Sequence, residues 1–213
     1  MKLHQDIYTE PDNSPDTLAN LGPLKSLAGV FEGSIGHDLH PVDPSEDDGA
    51  RQRQYFEKYQ LRPIDPQTNG PQLLYGLRYH THIVKLGQVE TFHDQVGYWL
   101  WDPDQEIVYL TLAIPRGQIA LYSGKVTERE KKFELRAERG STTNGICSNP
   151  FLEKNFKTTK ANIIVEILDN NSWKYDETTM LIIPDRDQAF AHTDRHLLSR
   201  VERPEPNPLM AGK

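Results

Sequence analysis

Apolar and polar residues alternate along much of the chain, most clearly in the segment QLLYGLRYHTHIV. There Leu73, Tyr75, Leu77 and Tyr79 occupy every second position. A period of two over this length predicts a β-strand, because successive side chains of a strand point to opposite faces of the sheet. Similar segments run from about residue 52 to residue 183 and are separated by short turn sequences. Connections this short cannot make parallel crossovers, so the pattern predicts an antiparallel meander.

About ten candidate strands meet these criteria. They span residues 27–37, 52–61, 72–84, 89–101, 106–113, 117–126, 132–138, 161–168, 172–183 and 195–202. Ten antiparallel strands in one domain close most economically into a barrel, because closure removes exposed strand edges. We therefore predict an all-β fold with a single ten-stranded antiparallel β-barrel. Since about eight strands already leave room for a small ligand, the predicted barrel includes a cavity.

Three segments lack the strand pattern. Residues 16–27 predict a short helix beneath one barrel mouth, and the proline- and aspartate-rich residues 37–50 predict a loop. A second short helix is predicted with Pro150 at its first position and with Ser148 or Asn149 as its cap.

The domain boundaries follow from these assignments. We predict a polar N-terminal segment over residues 1–23, one barrel domain over residues 24–203 and a flexible tail over residues 204–213.

Composition narrows the functional classes. The net charge is -7, from 24 basic and 31 acidic residues, so the phosphate neutralisation on which nucleic-acid binding relies has little support. No apolar stretch approaches the roughly 18 residues of a membrane span, and we expect neither a nucleic-acid nor a membrane partner. The single cysteine, Cys147, excludes an internal disulfide. With no signal peptide pattern, we expect a cytoplasmic protein.

Histidines are the informative polar residues, because the motifs of nucleotide-binding loops, nucleophile elbows and zinc proteases are absent. His37 and His40 flank a predicted loop, and His80 and His82 share the polar face of a strand, so all four are interpreted as surface or rim residues. His93 lies among aromatic residues, where a histidine is either a hydrogen-bonded core residue or part of a ligand pocket.

His192 and His196 are four residues apart, a spacing that places them on one face of either a helix or a strand. His196 belongs to the last candidate strand, where the structural alternative is a histidine bonded to a backbone carbonyl. His192 precedes that strand in a predicted exposed turn, and we expect that it is not a metal ligand.

Several segments together resemble the nitrobindin family. LAGVFEGSIG is similar to the glycine-rich first strand of that family, and GQVETFHDQVGYWLW is similar to its strand with the pattern H-x-E-x-G-Y. YSGKV and HLLSRVE resemble later strands, the last of which begins with a histidine followed by leucine. The resemblance covers residues 24–202.

This resemblance implies a barrel similar to lipocalins and fatty-acid-binding proteins, with ferric haem b in one mouth. Carried over by position, His196 is the proximal iron ligand, and Phe92 and His93 line the distal wall. His93 is then the catalytic candidate, and Met180 on the penultimate strand also faces the haem. In some members the activity is the isomerisation of peroxynitrite to nitrate, and nitric oxide binding is the related expectation.

The chain also departs from the family pattern. Phe31 replaces the signature tryptophan, Ile35 replaces the third glycine, and insertions lie near residues 42–49, 144–157 and 181–195. Two alternatives therefore stay open: a metal-free carrier of an apolar ligand such as a fatty acid, and an interaction module with a filled barrel. In the preferred interpretation the partner is a small ligand in the cavity, and a homodimer stays open.

Overall fold

The computed structural model describes residues 18–42 and 50–205. A 3₁₀ helix spans Ala19–Leu27 and one α-helix, α1, spans Pro150–Asn155. The strands are β1 (Gly29–Pro41), β2 (Ala50–Asn69), β3 (Gln72–Lys85), β4 (Thr91–Asp102), β5 (Ile107–Ile114), β6 (Gln118–Lys125), β7 (Lys132–Arg139), β8 (Gly145–Ser148), β9 (Lys157–Ile167), β10 (Ser172–Ile182) and β11 (Phe190–Glu202). Neither helix in the described part of the chain is long and apolar enough to cross a membrane.

The strands close into one barrel in the order β1-β11-β10-β9-β7-β8-β6-β5-β4-β3-β2. This confirms the predicted all-β barrel with short helices, but two details of the prediction are wrong. The described chain has eleven strands, and β8 runs parallel to β7 while it pairs antiparallel with β6. A four-residue strand is too short to show a period of two, so only its partners define it.

Two of the three segments without a strand pattern, the loop and the second short helix, can be compared with their predictions. β1 continues to Pro41, which pairs with Ala50 at the start of β2, so the predicted loop is shorter than expected at both ends. The rest of that predicted loop, residues 43–49, lies outside the described residues. The short helix is confirmed as α1, and the Asn149 side chain caps it by accepting a 2.9 Å hydrogen bond from the Leu152 amide.

One end of the barrel interior is apolar and closed by the 3₁₀ helix. Leu21, Leu24 and Leu27 are buried in the main core, which also contains Trp101. Gly22 has a φ of 53°, and a Cβ there would lie 2.5 Å from Nε1 of the Trp101 ring. Only glycine satisfies both conditions, so this residue fixes the close packing of the helix on β4.

The opposite end of the interior is polar. The buried side chains there include Asp38, Glu57, Thr81 and His196, each less than 5% exposed. They are buried because their strands place alternate residues inside the closed barrel. This polar end contains most of the residues that are predicted from the sequence to form a functional site.

Candidate functional site

A buried imidazole and a buried carboxylate form the centre of the polar end. His196 on β11 has a fully buried side chain, and its Nδ1 lies 2.6 Å from Oε2 of Glu57 on β2. Glu57 is itself only 1% exposed. Both groups are shielded from water, so their polar atoms need hydrogen-bond partners within the protein.

Two hydroxyl groups complete the hydrogen bonds of Glu57. Thr81 on β3 donates to Oε1 at 2.6 Å, and Tyr175 on β10 donates to Oε2 at 2.9 Å. A carboxylate only accepts hydrogen bonds, so Nδ1 of His196 carries the proton that it shares with Glu57. Four strands therefore converge on one carboxylate.

The second nitrogen of His196 is left without a partner. Nε2 is buried and makes no hydrogen bond with any described residue. With the proton on Nδ1, a neutral imidazole has its lone pair on Nε2, which is the form that binds metals. A carboxylate that orients the other nitrogen is the usual support of a metal-binding histidine.

Glycine makes room for this imidazole. A Cβ at Gly33 on β1 would lie 2.7 Å from both Cε1 of His196 and the Leu197 carbonyl oxygen, and still closer to Nε2. No side chain fits there, so Nε2 faces the bare backbone of β1. The first strand therefore needs glycine at this position.

Two tyrosines form the aromatic wall of the site. The Tyr55 ring meets the His196 ring edge-on, with 4.9 Å between centroids. The Tyr55 hydroxyl lies 3.1 Å from that of Tyr175 and donates to it, because the Tyr175 proton is already given to Glu57. Burial raises the pKa of both tyrosines, so both remain protonated donors.

The structure brings Phe92 and His93 to the same end. Ile83 on β3 pairs with His93 and Val84 pairs with Thr91, so Phe92 is the extra residue of a β-bulge. The Phe92 ring lies 6.5 Å from Tyr55, between centroids. Burial lowers the pKa of His93, and its Nε2 lies 3.3 Å from Oε1 of Gln95. Phe92 is thus linked to His196 through Tyr55.

Met180 is not brought into this cluster. It pairs with Lys160 on β9 and Ala191 on β11, and strand alternation puts it on the face opposite Tyr175 and Glu177. The expectation that Met180 faces the haem is therefore corrected. Similarity of motifs does not show which residues of β10 point into the barrel.

The expected position of His192 is also corrected. His192 belongs to β11, not to a preceding turn, and its Nε2 lies 2.8 Å from Oδ1 of Asp38 on β1. His40, interpreted as a surface residue, has its Nδ1 2.7 Å from Oδ2 of Asp38. His37 does lie at the surface, where it contacts Gln52.

The acidic partners were missed by sequence reasoning. Burial raises the pKa of Asp194 to about 8, reinforced by Asp38, Glu177 and Glu57 and opposed by His192. The available signal was alternation: Glu57 stands between Tyr55 and Tyr59 on the buried face of β2. An acid at an inward position requires a buried partner.

The donor chemistry at His196 fits a haem iron. The fit rests on the unpartnered, buried Nε2 and on the carboxylate behind Nδ1. Because Nε2 is enclosed against Gly33, we expect access to it to involve a local opening of β1. That opening has a defined place: Ser34 and Ile35 pair with neither neighbouring strand.

An open groove lies elsewhere on the barrel. It has a volume of about 940 Å³ and is lined by exposed residues that include Arg62, Arg78, Tyr98 and Ile119. It lies on the outer face of the barrel and does not contact His196. The buried imidazole, rather than this groove, carries the distinctive chemistry.

Comparisons with known proteins agree with this architecture. A family model described as "THAP4-like, heme-binding beta-barrel domain" matches residues 20–200. Among solved structures, the chain is similar to Rv2717c from M. tuberculosis, with 20% identity and a TM-score of 0.59. The match covers 87% of this chain and 97% of that chain, and at this identity it shows the fold alone. No curated protein matches the chain.

Proposed function

The chain belongs to the THAP4-like haem-binding β-barrel family, as its resemblance to nitrobindins predicted, and on that premise we propose that it binds ferric haem b through His196. Nε2 of His196 is the proposed iron ligand. Phe92 and His93 are the proposed distal residues, and Met180 is left out because of its outward position. The proposed activity is the isomerisation of peroxynitrite to nitrate, or the binding of nitric oxide.

One observation carries this proposal: an imidazole nitrogen of His196 is buried and has no hydrogen-bond partner among the described residues. Glu57 holds the proton on Nδ1, and Nε2 has no hydrogen-bond partner among the described residues. A purely structural histidine of this depth would be expected to satisfy both nitrogens. The opposed hydroxyl groups on Glu57 keep the carboxylate, and with it the imidazole, in one orientation.

The proposed distal residues suit a confined pocket. Phe92 packs near Tyr55 and supplies aromatic surface that can exclude water. His93 is kept neutral by burial, so it can hydrogen-bond a bound oxygen atom without adding a charge. Gln95 orients His93 and in turn donates to the Tyr79 hydroxyl at 2.7 Å.

The proposed reaction requires little chemistry from the side chains themselves. Bound ferric haem supplies an open coordination position for a small anion or gas. Conversion of peroxynitrite to nitrate transfers an oxygen atom to nitrogen within one ion and needs no net electron or proton. The side chains therefore have to confine the reacting fragments and hydrogen-bond their oxygen atoms, which is what Phe92, Tyr55 and His93 can do.

The alternative of a fatty-acid carrier lacks the expected partner. A carboxylate ligand in an apolar cavity needs a buried basic group. The buried charged or titratable polar residues among the described ones are Asp38, Glu57, Asp102 and His196, with no lysine or arginine. An anionic head group would lie beside buried acids, which disfavours this function.

A haem titration tests the proposal. Ferric haem is added to wild type, to His196→Gly and to the control variant His37→Ala, and the Soret band is recorded. We expect one haem per chain in wild type and in His37→Ala, because His37 lies at the surface. His196→Gly should lose most of the affinity, and added imidazole should restore the Soret band.

Rescue by imidazole distinguishes the loss of the iron ligand from the loss of the folded structure. Thermal melts of the apoproteins are run alongside for the same purpose. Equal haem affinity in wild type and His196→Gly would refute His196 as the ligand, and an absence of haem uptake by wild type would refute the proposed function itself.

A further inference from the structure

A second group of potential metal ligands lies beyond His196 at the polar end. Asp38 on β1 and His192 and Asp194 on β11 each place a ligand atom within 4.8 Å of the other two. His40, two residues after Asp38 on the same face of β1, contacts Asp38 as well. The cluster thus combines two imidazoles and two carboxylates on two neighbouring strands.

Asp38 is the buried centre of this group. It is 1% exposed, and its Oδ1 lies 2.8 Å from Nε2 of His192. Its Oδ2 makes no hydrogen bond with a described residue, although Nδ1 of His40 lies 2.7 Å away. That nitrogen is likewise buried without a hydrogen bond.

This geometry is informative because Oδ2 of Asp38 and Nδ1 of His40 are close to each other, yet neither makes a hydrogen bond with a described residue. Buried carboxylate oxygens are normally hydrogen-bonded, and an unsatisfied one is costly. The potential ligand atoms of Asp38, His192 and Asp194 lie within 4.8 Å of one another, close enough to contact one cation. Nε2 of His192 lies 3.4 Å from Oδ2 of Asp194, and His40 contacts Asp38 from the same strand.

The surrounding charges favour a cation. Asp194 pairs across the strands with Glu177, whose side chain lies on the same inward face. Arg53 pairs with Asp38 across β1 and β2, but its guanidinium stacks over the Phe92 ring at 5.2 Å. No ion pair joins Arg53 to Asp38 in the described structure. In the described part of the chain, the observed ion-pairing partners of Asp38 are His40 and His192, and that of Asp194 is His192.

We propose that Asp38, His40, His192 and Asp194 bind a divalent transition-metal cation. Two imidazole nitrogens with two carboxylate oxygens form a ligand set that suits Zn²⁺ or Co²⁺, whereas Mg²⁺ and Ca²⁺ prefer oxygen ligands throughout. The site is separate from His196, which uses Glu57 as its partner. The earlier expectation that His192 binds no metal is thereby reversed for this second cation, while the haem ligand stays His196.

The test uses Zn²⁺ and Co²⁺ on haem-free protein after removal of metals by a chelator. Calorimetry with Zn²⁺ should give one site per chain, and Co²⁺ should give the visible absorption of a four-coordinate ion. Asp38→Asn and His192→Gln should each weaken Zn²⁺ binding by more than about tenfold, because each removes a ligand. The control variants His37→Gln and His82→Gln alter exposed histidines and should keep the affinity of wild type.

Two measurements keep the inference falsifiable if a variant is destabilised. Zn²⁺ should raise the melting temperature of wild type and of both controls but not that of Asp38→Asn or His192→Gln. His196→Gly should keep its Zn²⁺ site, which separates this site from the haem proposal. Unchanged Zn²⁺ affinity in both ligand variants, or equal binding of Mg²⁺ and Zn²⁺, would overturn the inference.

Discussion

The candidate site depends on single residues that cannot be substituted without losing its packing or its hydrogen bonds. Gly33 is one, because any side chain there meets the His196 imidazole and the Leu197 carbonyl group. Glu57 is another, because it accepts hydrogen bonds from His196, Tyr175 and Thr81 at once. Each holds the imidazole where its Nε2 has no hydrogen-bond partner among the described residues. The proposed function depends on such residues more than on the barrel as a whole.

Gly33→Ala should damage both the fold and the site. The added Cβ would lie 2.7 Å from the Leu197 carbonyl oxygen, part of a backbone that cannot rotate away. Overpacking of this kind costs about 1–3 kcal/mol of unfolding free energy. Urea unfolding and haem titration measure the two effects, with exposed Ser34→Ala as the control. Wild-type values of both quantities in Gly33→Ala would contradict the packing described.

His93 should make stability depend on pH. Burial lowers its pKa in the folded state, so the unfolded chain binds the proton more readily. Its contribution is complete above the unfolded pKa of about 6.5 and is lost as the pH falls toward the lower folded value. In apoprotein, His93→Gln should therefore lose less unfolding free energy than wild type between about pH 7 and pH 5. Parallel pH profiles in the two proteins would show that His93 is not a buried neutral group.

At the scale of elements, two bulges shape the polar end. The bulge at Phe92 turns that residue toward Tyr55 while His93 keeps its pairing with Ile83. The irregularity in β1 leaves Ser34 and Ile35 without partners on β2 or β11. Bulges locally disrupt the hydrogen-bond ladder, so β1 has a weak point one residue away from Gly33. This weak point is where the enclosed Nε2 can become accessible.

Hydrogen exchange should reveal the opening of β1. We expect the amides of Ser34 and Ile35 to exchange faster than those of Phe31 and Leu39, which lie in paired stretches of the same strand. The measurement is amide exchange of the apoprotein followed by nuclear magnetic resonance. Uniform protection along β1 would mean that the barrel does not open there, and haem entry would need another route.

At the scale of the whole molecule, closure of the barrel depends on Arg200. From β11, its guanidinium donates to the carbonyl oxygens of Ser26 and Ala28 and to that of Asn170 in the turn before β10. It also stacks over the Phe31 ring at 4.5 Å. One side chain thus joins the 3₁₀ helix and β1 to the β9–β10 turn, which is far from them in sequence. Lysine cannot reproduce this fork of donors.

Arg200→Lys should destabilise the protein by about 2–4 kcal/mol, because more than one hydrogen bond from a charged group is lost. The matched control is Arg195→Lys on the same strand, whose guanidinium forms an exposed ion pair with Asp176 and should change stability by less than about 1 kcal/mol. Chemical unfolding of both variants measures the difference. A smaller effect at Arg200 than at Arg195 would contradict its role in closure.

The local features of the fold could be predicted from the sequence. Alternation identified the strands and the barrel, Asn149 and Pro150 identified α1, and the motifs identified the haem-binding family. These succeed because strand period, helix capping and family motifs are read from neighbouring residues.

Which side chains meet could not be predicted in this way, because it depends on how distant strands pair in the folded barrel. His196 and its partner Glu57 are 139 residues apart, and His192 and Asp38 are 154 apart. Their contacts depend on the register of β1 against β2 and β11, and a shift of one residue would turn each side chain to the other face. Met180 was misplaced for the same reason, and β8 was missed because four residues carry too little pattern. Long-range pairing in a closed barrel thus selects the site from candidates that the sequence can only propose.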